Sequence, residues 1–221
     1  QATGTPVVLV LFNGRPVTLN WENANLPAIV EAWYPGEFSG QAVAEVLFGD
    51  YNPGGKLSTT FPKSVGQIPW AFPFKPNATG KGFARVDGEL YPFGYGLSYT
   101  TYAYSNLKVD KPNFTADDIL TFTVDVKNTG NRIGKESVLL FSSDLIASLT
   151  PDVRRLRAFE KVELRPGEVK TVTLKVKGSD LAFVGYDGKW ILEKGDFRIQ
   201  TGNQTLNVSC TDTKKWDTPN K

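Results

Sequence analysis

The chain holds no histidine and a single cysteine, Cys210. Those two counts decide which chemistry its side chains can perform. Ser-His-Asp and Cys-His nucleophiles are excluded. So is histidine-ligated zinc, because one cysteine cannot stand in for the missing ligands, and no metal or cofactor is expected. A lone cysteine forms no internal disulfide and reads as a buried or inert thiol. Chemistry within the chain would rest on carboxylates, lysine, tyrosine or arginine. The carboxylates include Glu31, Glu37, Glu45, Asp50, Asp87 and Glu89. Acid–base work by carboxylates needs a facing pair whose surroundings set two different pKa values, and the spacing offers none. Glu37 and Glu45 fall on the exposed side of an amphipathic helix. Asp50 follows the helix end and orders the DYNPGG turn. Asp87 and Glu89 bracket Gly88 in a turn. Glu31 stands among strand apolars, with Arg15 or Lys56 as candidate partners. No catalytic residue is assigned to this chain.

A second group of residues is aromatic. The stretch IPWAFPFKPNATGKGFARVDG (68–88) carries Trp70, Phe72, Phe74 and Phe83. Such rings can stack on the apolar face of a ligand ring, or they can pin a long connection onto a folded body. These four are the candidate substrate-binding residues. The stretch YPFGYGLSYTTY (91–102) is denser still, with five aromatics and two glycines. It lies where one class of pattern gives way to another. A rigid connector there needs large apolar faces, and glycine where backbones approach closely.

The elements that position these residues fall into two groups. PVVLVLF (6–12) is a continuous β-branched run, as expected of a strand buried on both faces, and NGRP ends it with a turn signal. AIVEAWY (28–34) is a second strand, stopped by Pro35-Gly36. GEFSGQAVAEVLFGD (36–50) places Ala42, Val43, Val46 and Leu47 at helical spacing, with Ser39 as its cap and Gly49 at its end. KLSTTFP (56–62) reads as a short third strand. Strand, strand, helix, strand indicates an open α/β sheet with a largely parallel core. Three strands and one helix leave that sheet incomplete, and its missing cover is expected upstream.

Residues 69–104 form a connector rich in aromatics, Gly and Pro. From 105 to 221 the pattern is all-β. In ILTFTVDVKNTG (119–130), Leu120, Phe122, Val124 and Val126 alternate with polar residues. ESVLLFSS (136–143), RRLRAFEKVELRPGE (154–168) and VKTVTLKV (169–176) follow. Short strands are expected at Gly188 to Leu192, Asp196 to Thr201 and Thr205 to Ser209. About seven short strands in this span indicate a β-sandwich of immunoglobulin or fibronectin type III type, in which Trp190 and Trp216 read as packing residues.

The composition narrows the partners. Forty per cent apolar residues supply real cores, and a net charge of +2 gives no electrostatic case for nucleic acid. Arg154, Arg155 and Arg157 are the one tight basic cluster, and they read as a solvated face. The longest apolar run, Val7 to Phe12, is far too short to cross a bilayer, so no membrane is expected either. Asn77, Asn113, Asn203 and Asn207 begin N-x-S/T triplets, which are glycan acceptors in a eukaryotic secretory system.

Several stretches together resemble the C-terminal part of glycoside hydrolase family 3, in particular its bacterial β-glucosidase branch. They are PVVLVLFNGRPVTL, then AWYPGEFSGQAVAEVLFGDYNPGGKL to TTFPKSVGQIP, then LYPFGYGLSYTTY, and finally LRAFEKVELRPGE. They occur in the family's order and cover nearly the whole chain. The resemblance implies that residues 1–68 end an α/β sandwich domain and that 105–221 form a fibronectin type III-like domain. It implies a parent enzyme that is exo-acting and retaining, and that removes terminal non-reducing β-D-glucosyl residues from a glycoside or β-linked oligosaccharide. A β-xylosidase of the same family is the neighbouring reading, and a carbohydrate-binding or purely structural β-sandwich is the reading from another class. In the family the aspartate nucleophile belongs to an N-terminal (β/α)₈ barrel, and the glutamate acid/base sits upstream of the strand that PVVLVLF matches. The partners expected are that barrel and the start of the α/β domain, and a homodimer contact is among the roles open to the sandwich. The isolated chain is expected to be inactive, and a periplasmic or secreted location is implied.

Overall fold

The structure is a computed structural model that describes residues 3–67, 71–76 and 88–217. It divides into two compact units, one of residues 1–72 and 77–97, the other of 73–76 and 98–221.

In the first unit, strand β1 (Val8–Leu11) pairs in parallel with β2 (Ala28–Glu31), Val8 opposite Ala28 and Leu11 opposite Glu31. A six-residue helix, α1 (Asn20–Asn25), lies between them in sequence. Helix α2 (Ser39–Phe48) follows β2 and stops at Gly49, whose left-handed φ of 85° is the conformation glycine reaches without Cβ strain. Ser39 does not cap this helix: Phe38 holds the cap position, and no side chain satisfies the first turn. Neither strand is buried on both faces as the apolar runs suggest. Val7, Val8 and Phe12 are exposed, and so are Trp21, Tyr34, Phe38, Leu47 and Phe48.

KLSTTFP is likewise not a third strand of the parallel sheet. Its segment turns instead to residues 90–96. Leu57 N–H donates to the Tyr95 carbonyl at 2.7 Å and Phe61 N–H to the Tyr91 carbonyl at 2.9 Å, while Lys56 Nζ caps the Gly96 carbonyl at 2.7 Å. Phe61 and Tyr91 form an isolated bridge. The approach explains one glycine of the aromatic stretch, since a Cβ on Gly96 would sit 2.3 Å from the Gly55 carbonyl oxygen. Gln67, also buried, ties the far end of the segment. Its Oε1 accepts from the Lys63 and Ser64 amides at 2.8 and 3.1 Å, and its Nε2 donates to the Gly88 carbonyl at 2.9 Å.

The second unit is a β-sandwich. Its strands are β3 (Tyr102–Val109), β4 (Asn113–Phe114), β5 (Ile119–Asn128), β6 (Gly134–Asp144), β7 (Arg155–Leu164), β8 (Val169–Lys177), β9 (Phe183–Val184), β10 (Trp190–Leu192), β11 (Gly195–Thr201), β12 (Gln204–Cys210) and β13 (Lys214–Trp216). One sheet runs β3-β5-β8 and the other β4-β12-β11-β6-β7, with a small β13-β10-β9 sheet beside them. The first strand begins at Tyr102, inside the stretch read as connector. Alternation drives the packing. Leu120, Phe122 and Val124 of β5 lie opposite Val176, Leu174 and Val172 of β8, and all six are buried. They meet Val138 and Leu140 of β6, Phe197 and Ile199 of β11, and Val208 and Cys210 of β12 in one core. Cys210 is therefore a packed thiol, and burial pushes its pKa up. Trp190 and Trp216 sit opposite each other across β10 and β13 and pack on the same core.

At the end of β6, Asp144 is half-buried, and its carboxyl is pushed up to about 6. Burial is the main cause and the nearby Glu193 charge adds to it, against a hydrogen bond from the Ile146 amide and the positive charge of Arg157. A carboxyl that binds its proton more tightly when folded favours the fold at low pH, and that contribution is lost as pH rises through the folded value of about 6. Asp144→Asn is therefore expected to raise the urea midpoint at neutral pH and to leave it nearly unchanged at about pH 4. Equal midpoints for the two proteins at neutral pH would contradict this assignment.

Candidate functional site

In open α/β sheets, ligands bind beyond the carboxyl ends of parallel strands. In the first unit that edge is formed by the residues just after β1 and the last residues of β2. Glu31 closes β2, and its Oε1 accepts the Trp33 amide at 3.0 Å. The Asn13 amide, oriented with its nitrogen toward acceptors, donates to the Arg15 carbonyl at 3.1 Å and to Glu31 Oε1 at 3.3 Å. The partners of Glu31 are thus an amide and a backbone N–H, not the Arg15 or Lys56 side chains. Glu31 Oε2 is buried with no hydrogen bond from the described residues. Burial raises the Glu31 pKa, and the two hydrogen bonds lower it in part.

Backbone strain marks the same edge. Trp33 adopts a left-handed φ of 52°, a conformation that is costly for a bulky residue, and it ends β2 short of the AIVEAWY run. The Trp33 ring packs on Phe61 at 5.9 Å, and Phe61 packs on Tyr91 at 6.1 Å. Tyr91 stacks on Tyr95 at 5.0 Å, and the Tyr91 hydroxyl donates to Asn23 Oδ1 at 2.7 Å. Gly14 lies against the Tyr34 ring, where a Cβ would come within 2.6 Å.

The carboxylates named from the sequence are dispersed. Glu37 precedes α2 and is exposed, while Glu45 is half-buried and accepts from Gln41 Nε2 at 2.7 Å. Asp50 is exposed, and the turn after α2 is closed by the backbone bond from Tyr51 N–H to the Glu45 carbonyl at 3.0 Å, not by its carboxyl. Glu89 is half-buried. Asp87 lies outside the described residues. No charged group contributes to the Glu31 shift, so Glu31 has no carboxylate coupled to it among the described residues.

Of the four aromatic candidates, Trp70 and Phe83 lie outside the described residues. Phe72 is half-buried in the first unit and stacks on Phe93, with ring centroids 4.1 Å apart. Phe74 is half-buried in the second unit, where its carbonyl accepts the Val153 amide at 2.9 Å. The strained Trp33 was not singled out by sequence reasoning. Its one signal was position, directly after a strand and before Pro35-Gly36.

A parallel α/β unit followed by a fibronectin type III-like sandwich is the domain pair at the carboxyl end of one group of glycosidases. Residues 1–99 match the glycosyl hydrolase family 3 C-terminal domain, and residues 136–205 match the fibronectin type III-like domain. The chain belongs to glycoside hydrolase family 3, within its C-terminal part. It is 43% identical over 219 residues to a periplasmic β-glucosidase of Salmonella typhimurium, covering 94% of this chain and 29% of that protein. It is also 43% identical over 204 residues to a β-xylosidase of Formosa agariphila, covering 90% and 28%. Among solved structures, a β-glucosidase from Listeria innocua in complex with glucose superposes with a TM-score of 0.88 at 31% identity, over 95% of this chain and 31% of that one. A β-glucosidase from Erythrobacter marinus gives 0.86 at 38% identity, over 92% and 28%. The chain thus spans less than a third of the length of these relatives.

Proposed function

We propose that this chain is the C-terminal portion of an exo-acting, retaining β-glucosidase-like hydrolase that removes terminal non-reducing β-D-glucosyl residues. The observation that carries the reading is the 43% identity to a periplasmic β-glucosidase across 94% of the chain. The chemistry is consistent with a supporting role. Retention needs two carboxyl groups about 5–5.5 Å apart, whereas among the described residues the edge of the first unit holds Glu31 without a coupled second acid. The nucleophile is then supplied by a barrel and the acid/base by a loop, both in the longer polypeptide. The exposed apolar side chains of β1 and α2, Val8, Leu47 and Phe48, are the surface that a completed α/β sheet covers. Residues 91–97 brace that unit against residues 55–61, and the sandwich follows. The periplasmic relative supports a periplasmic or secreted location; no described helix is long and apolar enough to cross a membrane.

Equal identity to a β-xylosidase favours a second reading within the family. The two are separated by assaying the whole polypeptide against aryl β-D-glucoside and aryl β-D-xyloside. A kcat/KM at least about tenfold higher for the glucoside, a difference of about 1.4 kcal/mol in transition-state binding, is the expected result. Preference for the xyloside by a similar margin would establish the second reading instead.

A further inference from the structure

The three arginines between 154 and 157 are half-buried and each is tied to a neighbour, so they are not simply a solvated face. Arg154 lies over the Phe141 ring, 4.5 Å from its centroid. Arg155 pairs with Asp152, which also meets Lys75 Nζ at 3.5 Å. Arg157 is half-buried beside a cavity of about 250 Å³ that opens in the second unit near the ends of β6 and β7. The cavity's polar lining includes Arg157, Asp144, Ser142 and Lys75, and Phe183 and Trp190 contribute an apolar side. Arg157 Nε donates to the buried Ser142 hydroxyl at 2.7 Å, and one of its terminal nitrogens donates to the Asp180 carbonyl. Both acceptors are neutral, and Arg157 makes no ion pair among the described residues. Burial, together with the positive charge of Arg155, lowers its pKa to about 10.

A guanidinium has five N–H donors, so the two bonds of Arg157 leave three for another partner. In the lining of the same cavity, the Asp144 carboxyl has one donor, the Ile146 amide at 3.2 Å. Two ionisable groups held partly out of water, one with spare donors and the other with spare acceptor capacity, facing a small cavity, are the mark of a binding site. The signs balance closely: Lys75, Arg155 and Arg157 stand against Asp144 and Asp152. A near-neutral lining suits an uncharged ligand, and a ligand whose groups both donate and accept answers both side chains. Vicinal hydroxyls do so, and the apolar face of a sugar ring suits the indole and phenyl side of the cavity.

We propose that this cavity in the β-sandwich binds a neutral pyranoside, with Arg157 donating to and Asp144 accepting from adjacent hydroxyls. The site lies within the second unit and does not depend on the activity of the longer polypeptide. The test is nuclear magnetic resonance titration of this 221-residue chain with methyl β-D-glucoside, and in parallel with sodium glucuronate and sodium acetate. The glucoside is expected to shift the Trp190 indole N–H and the amides of residues 142–157 in a saturable way. Asp144→Ala and Arg157→Met are each expected to weaken it by about tenfold or more, the loss of a charge-assisted hydrogen bond. Asp144→Ala removes a carboxyl that burial disfavours, so it keeps the fold, and the wild-type shift map alone tests the location. No saturable shift with glucoside, shifts that leave the cavity residues untouched, or unchanged affinity in a folded variant would overturn the proposal. Binding of glucuronate or acetate without binding of the glucoside would overturn it too, and would show an anion site.

Discussion

Asn128→Ala is expected to destabilise the β-sandwich by about 3–5 kcal/mol, a large share of the stability of an ordinary domain. Asn128 is fully buried at the end of β5, and its side chain makes four hydrogen bonds. Oδ1 accepts from the Thr100 hydroxyl at 2.6 Å and the Gly130 amide at 3.1 Å. Nδ2 donates to the Arg132 carbonyl at 2.7 Å and the Leu164 carbonyl at 3.0 Å. One side chain thus joins the approach to β3, the turn after β5 and the end of β7. Removing it takes a hydrogen-bond partner from each of four groups, and a buried polar group left without a partner costs roughly 1–3 kcal/mol, reduced where another partner or water reaches it. Asn128→Asp separates hydrogen bonding from volume. It is nearly isosteric, yet it turns an oxygen toward two carbonyl oxygens, so it should be at least as damaging as alanine near neutral pH. Chemical denaturation of the three proteins measures both effects. A loss below about 1 kcal/mol for alanine, the range of an ordinary surface change, would show that these bonds contribute little.

Phe122→Ala is expected to cost about 3–5 kcal/mol by a different route, lost burial and an unfilled cavity. Phe122 is 1% exposed, lies opposite Leu174 on β8 and Val109 on β3, and projects into the core shared by both sheets. Phe122→Leu keeps most of the volume and is expected to cost about 1–2 kcal/mol. The ordering of the two variants in urea midpoints tests the packing argument. Equal losses would mean that the site collapses around alanine or rejects leucine by shape.

The sandwich was legible where strands are long and one face is buried. Period-two alternation at Leu120, Phe122, Val124 and Val126, and again at Val172, Leu174 and Val176, is a direct consequence of the pleat, and those residues form the core. Four strands escaped notice: the eight-residue β3 lacks an unbroken alternation because its register shifts between Ser105 and Lys108, where Asn106 takes a positive φ of 56°, while β4, β9 and β13 have two or three residues each and owe their existence to neighbours distant in sequence. KLSTTFP misled for the same reason. Its composition suits a strand, but its partner is the 90–96 segment, and no local pattern reports that choice.

The candidate site was less legible. Glu31 could be named from its place in an apolar run, but its partners depend on how the loops after β1 and β2 fold back. Trp33 in a left-handed conformation leaves no mark on the sequence, where glycine would have been the expected residue. Asn128 and Arg157 show the general difficulty. A polar residue is ordinarily placed outside, and only the three-dimensional arrangement reveals that its bonds are satisfied, or left available, within. The family motifs were readable because glycine, proline and aromatic residues recur in a fixed order, and that order is retained where shape and contact are not yet known.

The most direct test of the central claim compares the activity of the complete polypeptide with that of this 221-residue chain on an aryl β-D-glucoside, each purified to homogeneity. The complete polypeptide is expected to release the aryl group with retention at the anomeric carbon, and the chain alone to match buffer. Hydrolysis by the chain alone, or a complete polypeptide that hydrolyses no aryl β-glycoside, would contradict the account.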